Sequence, residues 1–284
     1  MARISLLSFF LCLLLQLCSF KICGQQTHTN ELAQRRYNDL WNLKDSLNEV
    51  TPSFSMGSYY DSKVVFWGRD FGEKQFGVAP YVMFNSAKGF YAYTVGNCWS
   101  ANSEIPARID LGVGFERILT DKIYVSLGYE RWIPRYSDSY YNSLLTNNIE
   151  VDADLEYFGL DIEPSVYYMF GEDYVFQSDI LLEKKYSVHT SKVTRISLKP
   201  SLLATFATRT FIPMYTEFYS DQINYKKIGL VDGEGSATLE VEMRSLQVEA
   251  TAHCNVPVGA RYEQLSPFYY FSLHVNYSFP LAER

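Results

Sequence analysis

In residues 269–279, Tyr269, Phe271, Leu273, Val275, Tyr277 and Phe279 occupy every second position, with Tyr270, Ser272, His274, Asn276 and Ser278 between them. Side chains of an extended backbone alternate between two faces, so one face is continuously apolar and aromatic and the other polar. The period recurs upstream. In 106–117, Ala107, Ile109, Leu111, Val113 and Phe115 oppose Arg108, Asp110, Gly112, Gly114 and Glu116. In 123–130, Ile123, Val125, Leu127 and Tyr129 oppose Tyr124, Ser126, Gly128 and Glu130. In 194–206, Ile196, Leu198, Pro200 and Leu202 oppose Arg195, Ser197, Lys199 and Ser201. Strands of this kind must hide one face, and a sheet closed on itself leaves no exposed edge. The pattern predicts an all-β, antiparallel barrel.

Strand length decides which face points out. Runs of ten or more alternating residues match a tilted strand crossing a bilayer, whereas soluble strands average about 5–6 residues. Pro164 and Pro200 sit on the apolar face of long runs, and aromatics collect at strand ends, as Tyr59, Tyr60, Trp99, Trp132, Phe170, Tyr174, Tyr269 and Tyr270. Girdles of this kind mark membrane interfaces. The expectation is a transmembrane barrel of about 10–12 strands, with Ile109, Leu111, Val113, Ile162, Val166, Leu198, Phe271, Leu273 and Val275 facing lipid. Arg108, Asp110, Glu116, Glu130, Asp161, Glu163, Arg195, Lys199 and His274 then form a lumen charge network. The alternative is a secreted, soluble, lipocalin-like barrel with the faces reversed.

Arg3 followed by an apolar run over residues 4–18 and a small residue at Gly24 reads as a secretory signal over 1–24. The run is shorter than the ~20 residues of a spanning helix. Losing Arg3 and Lys21 takes the formal charge from −7 to −9, an acidic balance that argues against nucleic acid as a partner. Cys98 and Cys254 are the cysteines left after the signal, too few for a disulfide framework or metal site. Cys254 continues the apolar phase of Leu246, Val248, Ala250 and Ala252, although a Cys98–Cys254 bridge is open to it in an oxidising compartment.

Residues 29–50 carry Leu32, Leu40, Leu43, Leu47 and Val50 at helical spacing, with Thr29 or Asn30 as a cap and Pro52 as a stop. This predicts a short amphipathic helix in a periplasmic segment spanning 25–52, resting on the barrel rim or acting as a plug or partner-binding handle. The barrel is assigned to 53–279, with a tail at 280–284. Strands are read at 62–71, 75–84, 90–99, 106–117, 123–130, 156–170, 174–186, 194–206, 211–219, 237–253 and 269–279. The phase flip near Ser245 reads as a bulge. Residues 133–152 and 220–236 read as long loops. Both termini on one side require an even strand number, and 53–60 is the most plausible strand missing from the eleven.

The export signal, the alternating spans and a last strand ending in Phe279 resemble the small outer-membrane β-barrel proteins of Gram-negative bacteria, including uncharacterised ones of the Bacteroidota type. The resemblance implies the cell outer membrane as location, outer-membrane lipid and the barrel-assembly machinery as partners, and a porin-like or envelope role. Five residues beyond Phe279 depart from the family's usual ending. No cofactor, metal or catalytic site is read from the chain. The enzyme alternative, an outer-membrane hydrolase or lipid-modifying enzyme, would use Ser272, His274 and Asn276, or Asp161 with Glu163. Residues two apart on one strand lie ~6–7 Å from each other, too far for a direct Ser–His–Asn relay. Asp232 and Glu234 beside Gly233 and Gly235 read as loop solubilisers. The leading reading is a non-enzymatic outer-membrane barrel with a charged, largely filled lumen. Such a protein should stay with outer-membrane material through a carbonate wash and migrate differently before and after boiling; recovery in the soluble periplasm would refute the assignment.

Overall fold

The computed structural model describes residues 52–63, 65, 76–100, 106–120, 122–134, 145–172, 174–208, 228–258 and 266–281. The elements are β1 (Ser53–Asp61), β2 (Gly77–Asn85), β3 (Phe90–Trp99), β4 (Arg108–Thr120), β5 (Ile123–Pro134), β6 (Leu145–Tyr157), β7 (Leu160–Gly171), β8 (Tyr174–Glu183), β9 (Tyr186–Thr190), β10 (Thr194–Thr208), β11 (Ile228–Met243), β12 (Leu246–Pro257) and β13 (Phe268–Pro280). Every pairing is antiparallel, each strand beside its sequence neighbour. β9 continues β8 past Lys184 and Lys185, and both pair with β10. Counting these two as one interrupted strand, twelve strands form a ring closed by β13 on β1, from Ser53 opposite Pro280 to Asp61 opposite Ser272.

Connections at one end are short, at 86–89, 121–122, 158–159, 191–193 and 244–245, and Ser53 and Pro280 lie at that end. At the other end the connections include 62–76, 135–144, 209–227 and 258–267. Short turns are periplasmic and long loops extracellular in outer-membrane barrels. The exterior carries Leu111, Val113, Leu127, Val151, Val166, Leu198, Leu239 and Phe271, all exposed. Ile109, Ile162, Leu273 and Val275 share this outer face and are half-buried by their neighbours. Arg108, Asp110, Glu130 and Lys199 are at most 2% exposed, inside the ring. This arrangement rules out the soluble barrel, which needs the apolar face sealed within. Phe84, Phe90, Tyr157 and Phe158 are exposed towards the periplasmic end, and Tyr168, Tyr174 and Tyr269 towards the other. Tyr59, Trp99 and Trp132, expected in a girdle, are instead buried at 2% exposure.

Several expected elements are corrected. The run 156–170 is broken by a two-residue turn at Phe158 and Gly159, whose φ values are 53° and 70°. The phase flip in 237–253 is the β11–β12 hairpin, turning at Arg244 and Ser245, and not a bulge. Residues 145–152 lie in β6, and 228–236 in β11, so Asp232 and Glu234 are strand residues. Ser62 and Lys63 lie outside any strand. The expected strand at 53–60 is present as β1. The cysteines are unbridged. The helix at 29–50 and the strand at 211–219 fall outside the described residues.

Close packing inside the ring uses glycine. A Cβ on Gly112 would meet the Tyr93 ring, and one on Gly114 the Tyr91 ring. The rings of β3 therefore lie flat on β4 because the facing positions lack side chains. Gly112→Val should lower the urea midpoint by an amount equivalent to about 1–3 kcal/mol. The double variant with Tyr93→Ala should fall by less than the sum of the single changes; strict additivity would remove this contact from the account.

Candidate functional site: the polar lumen

Alternation in the twelve strands aims one polar set at the axis. Three groups of contacts organise it. Towards the extracellular end, Asp110 accepts hydrogen bonds from Asn97 Nδ2 and Arg108 Nη2, both at 2.6 Å. The Arg108 guanidinium lies over the Trp132 ring at 4.8 Å. Trp132 Nε1 and Tyr93 OH donate to Glu130 at 2.6 and 3.1 Å. A cation, an aromatic face and two carboxylates thus lie together, with Arg108 Nη2 on Asp110 and both Glu130 oxygens accepting, where unpaired burial of either charge would cost several kcal/mol.

The next group spans β10 to β2. Lys199 Nζ donates to Glu240 Oε1 at 3.1 Å and Glu249 Oε1 at 2.7 Å. Gln247 Nε2 donates to Glu240 at 2.8 Å, and Lys185 Nζ reaches Glu240 Oε2 at 2.6 Å. His274 lies with Nδ1 3.4 Å from Glu249 Oε2 and Nε2 2.9 Å from Tyr81 OH, which also donates to Asn276 Oδ1 at 2.9 Å. The His274 ring stacks on Tyr59 at 4.4 Å between centroids. A continuous polar chain therefore runs from Lys185 through Lys199 and His274 to Asn276.

The last group sits higher on β11 to β13. His253 lies between Glu234, 2.7 Å from Nδ1, and Ser272, 2.8 Å from Nε2. Tyr270 OH donates to Glu234 Oε2 at 2.6 Å. Asn255 Nδ2 donates to both carboxylate oxygens of Asp232 at 2.9 Å.

Of the residues expected in the lumen, Arg108, Asp110, Glu116, Glu130, Lys199 and His274 are buried inside. Asp161, Glu163 and Arg195 are half-buried on the inward phase of β7 and β10. Arg195 lies 3.6 Å from Glu242 at the periplasmic end. Arg108, Arg195 and Lys199 pair with Asp110, Glu242, Glu240 and Glu249 in these contacts. Ser272, His274 and Asn276 do not form a relay: His274 turns to Tyr81 and Glu249, and Ser272 to His253. Glu240, Glu249, His253 and Tyr81 were not singled out from sequence, and Tyr59 was read as a girdle residue. The first three lie in 237–253, and taking its phase flip as a hairpin would have put them on one face. Among the described residues no group of His, Cys, Asp and Glu has metal-site geometry.

An apolar exterior, a charged interior and a closed ladder are together the architecture of an outer-membrane barrel. The molecule is an outer-membrane β-barrel. No family model matches the chain and no curated protein is similar to it. Solved structures are similar in shape. The NanC porin is 14% identical over 79% of this chain and 98% of its own, with a TM-score of 0.46. An outer-membrane channel from Pseudomonas putida is 10% identical over 81% and 96%, with a TM-score of 0.49. LpxR from Salmonella typhimurium is 8% identical over 78% and 99%, with a TM-score of 0.40. At these identities and scores none of them speaks to what this barrel does.

The Lys199 cluster yields a stability prediction. Lys199→Met leaves Glu240 and Glu249 facing each other across β11 and β12, and should cost about 3–5 kcal/mol in reversible urea unfolding. Adding Glu249→Gln should recover part of the loss. An unchanged midpoint for Lys199→Met would show that the pair contributes nothing.

Proposed function

We propose that the barrel is a narrow outer-membrane passage that favours small cations and performs no chemistry on them. The observation that carries this reading is the lumen's charge balance. Among the described residues that are buried, Asp61, Asp110, Glu116, Glu130, Glu150, Asp154, Asp179, Asp232, Glu240 and Glu249 are acidic, whereas Arg108 and Lys199 are the fixed cations. Charging both His253 and His274 still leaves six carboxylates in excess. An excess of carboxylates gives the lumen a negative potential, which draws mobile cations from the two ends. A confined path lined by one sign of charge also concentrates counter-ions. Twelve strands are too few for a wide pore, which needs roughly 16–18.

The exterior fits outer-membrane lipid as its solvent. The paired terminal strand ending in Tyr277 and Phe279, whose tilted rings lie 4.5 Å apart, is what the barrel-assembly machinery would meet. In planar bilayers under a KCl gradient the protein should give small single-channel steps whose reversal potential has the sign of potassium selectivity. Replacing Asp152 and Asp154 by Asn should weaken that preference. A silent bilayer or an anion preference would overturn the proposal.

A further inference from the structure

We infer that Ser272, His253 and Glu234 form an acyl-transfer relay at the extracellular mouth, with Ser272 Oγ as a nucleophile towards a neutral or cationic carboxylic ester. The inference goes beyond the passage and stands on separate observations. Glu234 Oε1 lies 2.7 Å from His253 Nδ1, and His253 Nε2 lies 2.8 Å from Ser272 Oγ. These are the distances and the order of an orienting carboxylate, a general base and a nucleophile. The residues come from three successive strands. His253 pairs with Ser236 and Tyr270, so Glu234 and Ser272 are its diagonal neighbours, two residues further along each ladder.

The base is fixed from two sides. The Tyr270 ring stacks on the His253 imidazole at 4.2 Å and 5° between planes, while the Tyr270 hydroxyl donates to the second oxygen of Glu234 at 2.6 Å. The ionised carboxylate beside Nδ1 selects the tautomer with its proton there, leaving Nε2 to accept from Ser272. His274 provides an internal contrast. It too has a glutamate at Nδ1, but its Nε2 meets the phenol of Tyr81, which is not placed as an alcohol nucleophile. Ser272 stands opposite Asp61, the last residue of β1, and is 2% exposed, so an ester reaches it only from within the barrel.

The step balances as follows. Ser272 Oγ bonds to the ester carbonyl carbon while its proton passes to His253 Nε2, and Glu234 faces the resulting imidazolium. The adduct collapses with cleavage of the bond to the alcohol oxygen, which takes the proton from Nε2. Water then attacks the acyl-serine, His253 accepts its proton and returns it to Ser272, and the carboxylic acid leaves. The acidic lumen repels anionic esters. Asp61 beside Ser272 disfavours the negative charge of the adduct, so turnover is slow and covalent capture is the sensitive readout.

The test uses the full-length protein, purified in detergent and shown to be folded by its heat-modifiable migration, with a fluorophosphonate probe and peptide mass mapping. The adduct should map to Ser272 in the wild type and be lost in Ser272→Ala. His253→Gln should slow labelling by about 10²-fold or more, and Glu234→Gln should slow it by less. p-Nitrophenyl butyrate hydrolysis should follow the same order. No adduct on Ser272 in folded wild-type protein, or a labelling rate that His253→Gln leaves unchanged, overturns the inference. Neither result bears on the bilayer measurement.

Discussion

Closure of the ladder between β13 and β1 is the constraint on which everything else depends. In hydrocarbon each unpaired backbone N–H or C=O costs several kcal/mol, so a sheet of this length is viable in a bilayer only if its last strand finds its first. The pairing from Ser53 opposite Pro280 to Asp61 opposite Ser272 supplies those partners. Once the ring is closed, the alternation of each strand sorts side chains without further instruction. Apolar residues meet lipid, and the polar ones are left to solve their electrostatics within the lumen.

The polar solution in turn reinforces the seam. Tyr81 on β2 reaches across β1 to His274 and Asn276 on β13. It can do so because Gly57 of β1 lies beneath its ring, where a Cβ would touch the phenol at 2.7 Å. Tyr59 on the same strand stacks between Tyr81 and His274. His274 is tied through Glu249 to Lys199, so one network holds β10, β12, β13 and β2 around the joint. A hydrocarbon core would fill the same space without specifying which strands meet. The fixed donors and acceptors here reward one register.

Much of this was legible in the sequence because a period of two survives any lumen chemistry. The outward phase of β4, β5, β10 and β13 was read residue by residue. What failed was the placement of turns and of strands with a strongly polar inner face. Phe158 occupies a left-handed position usually given to glycine or asparagine, so the β6–β7 turn carried only half of its usual signature. A two-residue turn and a bulge both shift the phase by one, which made Arg244 and Ser245 ambiguous. β6, with Asn147, Asn148, Glu150, Asp152 and Asp154, and β11, with Asp232, Gly233, Glu234 and Gly235, look like solvated loops because strand preferences reflect apolar packing. In these strands the polar face is the buried one. The partners of His253 and His274 were out of reach for another reason, since cross-strand neighbours depend on register and a single missed hairpin reassigns all of them.

The lumen is also unequal from side to side, and the inequality follows from residue size. β1 to β3 contribute Tyr59, Tyr81, Tyr91 and Tyr93, the last three of which lie back on Gly57, Gly112, Gly114 and Gly128. Five places around the ring, β6 to β8 contribute Glu150, Asp152, Asp154, Asp161, Glu163, Asp179 and Glu183, and no lysine or arginine. Flat rings seated on glycine hold one wall close to its own backbone, while β6 to β8 present an acidic one. The fixed cations Arg108 and Lys199 are each engaged with carboxylates on other strands, or on their own, and leave the acidic wall its sign. The proposed selectivity is therefore a property of which strands face each other, set by the closing pair, and not of any single ring of charge.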